Sequence, residues 1–297
     1  MPNTLTNMQA KIFADSAFLA FNSELLPLKA IATKFEPKAA QKGSTITVPL
    51  FPALTAGAFA GDYSSTDRTI PGKVVTLDQH SFLSSGFTDR ELMESPEEYF
   101  KSCGAQQGRG VAKAVILYVM GLIKAAAFGN AAGDKFTKAA NLITTEDIVD
   151  IRAKIKAKGI NPKDASIVLG DAYTSLLKDT VLTSAMYGGA EAVRTGMIPG
   201  LFGFKNVFES LIIPDNGENL IGFALAPQAI AFGSRYLEPV SRTGLEDAGM
   251  VTDEETGLTL GFRMIPEPVK GRMSIVTECL YGASAADGSA LVRHLSA

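Results

Sequence analysis

Apolar residues recur at helical spacing over residues 8–28, where Phe13, Ala17, Ala20, Phe21, Leu25 and Leu28 form one stripe. Pro27 and Pro37 interrupt it, so residues 1–42 read as an N-terminal arm lacking a partner within its own chain. From Gly43 the period falls to two. Ser44–Leu50 alternates apolar with polar, and Gly72–Phe87 is rich in β-branched residues, so both are predicted strands. Between them, residues 52–71 are almost all small, polar or turn-forming. A connection that long without periodicity is uncommon inside a compact domain and is usually functional or disordered. Two strands cannot bury a core alone, so this hairpin needs another surface to lie on.

The next segment is predicted as one long helix over residues 96–128. Ser95 is placed at its N-cap, Pro96 at the first helical position and Glu98 at N3, the pattern of a capping box. Gly129, Asn130 and Gly133 stop it, after a span of roughly 45 Å. Gly104, Gly108, Gly110 and Gly121 inside it each cost about 1 kcal/mol relative to Ala, which implies close backbone packing or a bend.

Residues 141–255 read as an α+β unit. Thr144 or Thr145 caps a helix through Lys158, with Ile148, Ile151 and Ile155 on one face and Gly159 at its end. Ser166–Leu169 is a short strand, and Asp171 caps a helix over 172–178. Gly188–Gly203 is glycine-rich and aperiodic. Phe204–Ile213 and Leu220–Ala226 are predicted strands joined across Asp215-Asn216-Gly217, and Pro227 opens a short helix. Leu258–Ile265 and Arg272–Ala283 are long strands, followed by Ala290–Leu295.

Composition narrows the function classes. With 297 residues, 46% hydrophobic and 20% charged, the chain can bury a core and is not disordered. Twenty-eight basic against 31 acidic residues give a net charge of −3 and no basic footprint for reading nucleic acid or binding a membrane surface. The most apolar window, Ala114–Ile123, is well short of the roughly 20 residues a membrane span needs. Residues 1–20 carry Lys11 and Asp15 within their apolar stretch, unlike a signal peptide, so cytosolic synthesis is expected.

Candidate chemistry is sparse. Cys103 and Cys279 cannot build a disulfide framework or a zinc ribbon and read as small buried hydrophobes in a reducing compartment. His80 and His294 lack ligand spacing and read as ordinary hydrogen-bonded or exposed histidines. No GxSxG elbow or phosphate loop is present. The pairs Glu97-Glu98 and Glu146-Asp147 suit first helical turns, and Glu254-Glu255 a solvated turn. No catalytic residue, cofactor or metal site is therefore expected.

The order of elements carries more information. GSTITVPLF with VVTLDQHSFLSSGFTDREL, then SPEEYFKSCGAQQGRGVAKAV, LFGFKNVFESLIIP, LIGFALAPQAIAFGSR and RMSIVTECLYGASA together resemble the Hong Kong 97-like major capsid proteins of tailed bacteriophages. The resemblance implies an α+β fold with an N-terminal arm (1–42) and an extended loop (43–88). It further implies a peripheral domain (89–140 and 256–283) carrying a spine helix (96–128), and an axial domain (141–255 and 284–297). It implies a non-enzymatic homo-oligomer of pentamers and hexamers, closed into an icosahedral head around double-stranded DNA without sequence-specific binding. Portal and decoration proteins would be further partners, with any scaffolding protein separate; assembly would take place in the host cytoplasm and the product would be the virion capsid. Phe59, Tyr63 and Arg68 in the loop tip are the candidate inter-subunit contacts. Some relatives crosslink lysine to asparagine in this loop, but nothing marks Lys73 as reactive. Two other readings are an encapsulin-like nanocompartment shell and, from a different class, a cytosolic α+β hydrolase or ligand-binding protein.

Overall fold

The structure is a computed structural model that describes residues 5–35, 43–50, 72–184, 202–237, 244–252 and 258–296. Its first half runs α1 (Leu5–Glu24), β1 (Ala32–Phe35), β2 (Thr45–Pro49), β3 (Gly72–Thr76), β4 (Gln79–Thr88), α2 (Asp89–Glu94), α3 (Glu97–Gly121) and α4 (Ala125–Phe128). Then come β5 (Lys135–Thr137), α5 (Thr145–Ala157), β6 (Ser166–Leu169), α6 (Ala172–Ser184), β7 (Val207–Glu209) and β8 (Leu220–Leu225). The last strands are β9 (Ile230–Arg235), β10 (Asp247–Thr252), β11 (Thr259–Glu267), β12 (Arg272–Ala285) and β13 (Leu291–Leu295).

The apolar stripe of α1 is buried at Phe13, Ala17, Ala20 and Phe21, and continues into buried Leu25 and Leu28. Its partner is α3 of the same chain, which corrects the expectation that the arm is unpartnered. Glycine makes this contact possible. A Cβ on Gly104 would lie 2.4 Å from the Phe13 carbonyl oxygen, and one on Gly108 only 2.0 Å from that of Ala17. The helix propensity forgone at these positions is offset by backbone-to-backbone contact.

The helix prediction needs two corrections. The N-cap of α3 is Pro96, without a side-chain cap, because Ser95 closes the preceding α2 by donating its N–H to the Glu91 carbonyl. The capping box lies seven residues before the expected one, between Thr88 and Glu91. The long helix also ends at Gly121, about 37 Å from its start, and α4 follows as a separate turn that Gly129 terminates at φ 79°.

β12 is the axis of a six-stranded sheet. β4 and β11 both pair with residues 272–278 of β12, so they occupy opposite sides of it. β9 pairs with residues 280–285 on the β11 side, β10 extends from β11, and β1 lies parallel to β9. The second sheet has the order β5-β13-β8-β6-β7. β6 therefore separates β7 from β8, so the predicted hairpin across Asp215–Gly217 is not formed. All four β6 residues are buried, and such a strand needs neighbours on both sides. The predicted 204–213 strand contracts to β7.

Pro227 opens only a 3₁₀ turn, Pro227–Ala229, and the expected helix is instead β9. Residues 230–234 are all buried, and a continuous apolar run does not distinguish strand from helix. β9 and β10 fall between residues 141 and 255, yet both pair in the six-stranded sheet. Under the second sheet, α5 buries Ile148, Ile151 and Ile155, as its period predicts.

Candidate assembly surface

β2 and β3 pair from Thr45↔Thr76 to Pro49↔Gly72. Alternation turns Ile46, Val48 and Val75 inward and leaves Thr45, Thr47, Val74 and Thr76 exposed. Ile46 and Leu77 pack on Leu280, and Val48 and Val75 pack on Ala231. Gly282 brings the layers together, since a Cβ there would stand 2.0 Å from the Thr76 carbonyl oxygen. The base of the hairpin thus rests on β9 and β12 of its own chain. The candidate contacts Phe59, Tyr63 and Arg68, with the rest of residues 51–71, lie outside the described residues.

Other surfaces become apparent only in the folded chain. β4 has β12 on one side and no strand on the other among the described residues, and Phe82 on it is 60% exposed. A ten-residue open edge offers unpaired backbone groups to another chain. Where β4 ends, the Asp89 N–H donates to the Gly271 carbonyl at 3.2 Å, placing α2 beside the β11–β12 turn. Val269 in that turn is 100% exposed and Met93 on α2 is 89% exposed. Single exposed apolar residues are ordinary. A valine within the otherwise polar turn PEPVKG was the available signal.

The titratable groups form structural pairs. Glu278 accepts from His80 Nε2 at 3.0 Å and from Arg263 Nε at 2.5 Å, tying β4, β11 and β12 together. Lys270, Ser274 and Arg272 converge on Glu267 and hold its carboxyl down at about 2. Burial pushes the Cys279 thiol up to about 12, so the thiolate is suppressed. Cys279 is buried as expected, whereas Cys103 is only partly so.

His294 departs from the expected hydrogen-bonded or exposed histidine. It is buried in β13, neither ring nitrogen makes a well-formed hydrogen bond, and desolvation lowers it to about 4. The Lys138 backbone and the Asp147 carboxylate pull weakly the other way. Asp147 itself is held below the usual carboxylate range. Burial opposes this, but hydrogen bonds from Lys138 and Thr144 outweigh it. Among the described residues no group of three or more His, Cys, Asp or Glu side chains could hold a metal, and no helix is long and apolar enough to cross a membrane.

No family model and no curated protein sequence matches the chain. Solved structures do. The capsid of the cyanophage P-SCSP1u superposes with a TM-score of 0.55 at 12% identity, covering 90% of this chain and 87% of that one. The mature capsid of bacteriophage PhiM1 gives 0.52 at 14% identity, covering 89% and 85%. The capsid of an empty GTA particle gives 0.51 at 14% identity, covering 92% and 90%. The chain has a phage capsid-type fold over nearly its whole length.

Proposed function

We propose that this chain is a major capsid protein of the Hong Kong 97-like type, whose copies form the pentamers and hexamers of an icosahedral head enclosing double-stranded DNA. The observation that carries this reading is the superposition on phage capsid subunits across about nine-tenths of both chains. The exposed apolar positions Phe82, Met93 and Val269 and the open edge of β4 support it, because a shell subunit needs surfaces that only other copies cover. In this reading the peripheral domain is the six-stranded sheet with α1 and α3, extended to include β9 and β10. The axial domain is the five-stranded sheet with α5 and α6. Phe59, Tyr63 and Arg68 reach a neighbouring subunit.

Electron microscopy of the purified chain tests the proposal. Closed shells are expected, and a monodisperse monomer would contradict it. Duplex DNA inside particles from the native source fits a virus head, whereas packaged protein would indicate a nanocompartment. Replacing Thr55–Arg68 by a short Gly-Ser turn is expected to leave melting nearly unchanged and to abolish regular particles. Each such contact is worth only about 2 kcal/mol and becomes decisive through repetition around the shell.

A further inference from the structure

The break between α3 and α4 is occupied by a turn from a distant part of the chain. Asn216 Nδ2 donates to the carbonyls of Met120 at 2.9 Å, which also accepts the Ile123 N–H, and of Ile123 at 2.8 Å, beyond the end of α3. Two residues on, Glu218 Oε1 accepts the Ala125 N–H at 2.8 Å at the start of α4. The other oxygen of Glu218 pairs with Arg293, a fully buried side chain of β13. Arg293 Nη2 in turn donates to the carbonyl of Gly129, which ends α4, at 2.5 Å. The turn is shaped for this role. Asn216, Gly217 and Asn219 all adopt left-handed backbone at φ 56°, 71° and 54°, and the Glu218 and Leu220 N–H groups both close onto the Asp215 carbonyl.

From this geometry we infer that the 215–219 turn is a clasp that fixes the angle between α3 and the five-stranded sheet, with Asn216 as its positioning residue. Lys124 at the N-cap of α4 supplies no side-chain cap, so the Ala125 N–H takes its partner from Glu218. The chain at 122–124 is a natural hinge because the i→i−4 ladder is interrupted there. Without the clasp that hinge would hold a range of angles. In a shell-forming chain the angle would bear on curvature, a consequence that rests on the function proposed above. The clasp itself does not rest on it.

The test uses the full chain. Asn216→Gly removes the amide while tolerating the left-handed backbone, and Asn216→Asp keeps the shape but offers no donor to the two carbonyls. Asn219→Gly is the control, with the same backbone conformation in the same turn but no side-chain hydrogen bond to α3 or α4. Spin labels go at Glu98→Cys on α3 and Lys163→Cys beside β6, with Cys103→Ser; both labelled positions are exposed. One narrow inter-label distance is expected in the parent and in Asn219→Gly. A broadened or shifted one is expected in both Asn216 variants. Amides of residues 122–128 should exchange about tenfold faster in those variants, while those of β6 stay protected. An unchanged distance distribution, or equal exchange in Asn216→Gly and Asn219→Gly, would overturn the inference. Absence of shells from the parent would count against the proposed function and leave both readouts to decide the clasp.

Discussion

The two sheets display two ways of tying layers together. In the six-stranded unit, layers meet backbone to backbone, with Gly104 and Gly108 admitting α1 and Gly282 admitting the β2–β3 hairpin. Inside it, Gln107 donates to Ser85 Oγ at 2.7 Å and accepts from Thr277 Oγ1 at 2.7 Å, and Glu278 pairs with Arg263. In the five-stranded unit ion pairs join separate segments. Arg293 pairs with Glu218, Lys158 with Asp134 at 2.8 Å, and Lys138 with Asp147 at 2.6 Å. The same unit contains His294 and the Arg293 Nε, both buried without a hydrogen-bond partner. Close packing is indifferent to pH, whereas buried charge and a buried neutral imidazole are not. At these sites the first unit should therefore be sensitive to volume and the second to charge.

The strongest way to break this comparison is Arg293→Ala, which leaves Glu218 and the Gly129 carbonyl without their buried cation. A loss of about 3–5 kcal/mol is expected in denaturant unfolding. A loss below about 1 kcal/mol would mean that the ion pair does not hold the unit.

Acid gives the next largest effect. His294 titrates at about 4 in the fold against 6.5 as a free side chain, so folding favours its neutral form. Its contribution is fully present above pH 6.5 and is lost as pH falls towards 4. Over that window about 3 kcal/mol of stability should disappear. His294→Leu should flatten this part of the pH profile, and an unchanged profile would show that another group sets it.

Much of this architecture was legible in sequence, for identifiable reasons. The α1 and α5 stripes follow a 3.6-residue period because each helix buries one face. β9 was not legible: covered by Phe232 and Ile230 on one face and Ala231 on the other, it shows no period. Ser95 misled because Thr88-Asp89-Arg90-Glu91 and Ser95-Pro96-Glu97-Glu98 carry the same capping signature, and only the first forms the box. The clasp joins residues more than ninety positions apart, and no local pattern marks such a pair. Of the candidate surface, only Phe59, Tyr63 and Arg68 were chosen from sequence, and the exposed Phe82 and Val269 were missed.

The smallest expected effect sharpens the volume side. Gly108→Ala places a Cβ against the Ala17 backbone and should lose about 1–3 kcal/mol. Gly121→Ala, with nothing within 4 Å of the new carbon, should gain about 0.5–1 kcal/mol from helix propensity alone. Thermal melts of the pair measure the difference, and equal effects would show that α1 does not need the glycine seat.

The most direct measurement is a three-dimensional reconstruction of particles assembled from the purified chain. The expected result is a closed shell of pentamers and hexamers into which the subunit fits as described. In it, the hairpin end at Pro49 and Gly72 points across a subunit boundary, and residues 55–68 lie on a neighbouring copy. Particles in which that end faces solvent, or a chain that stays monomeric at every concentration, would contradict a shell-forming role.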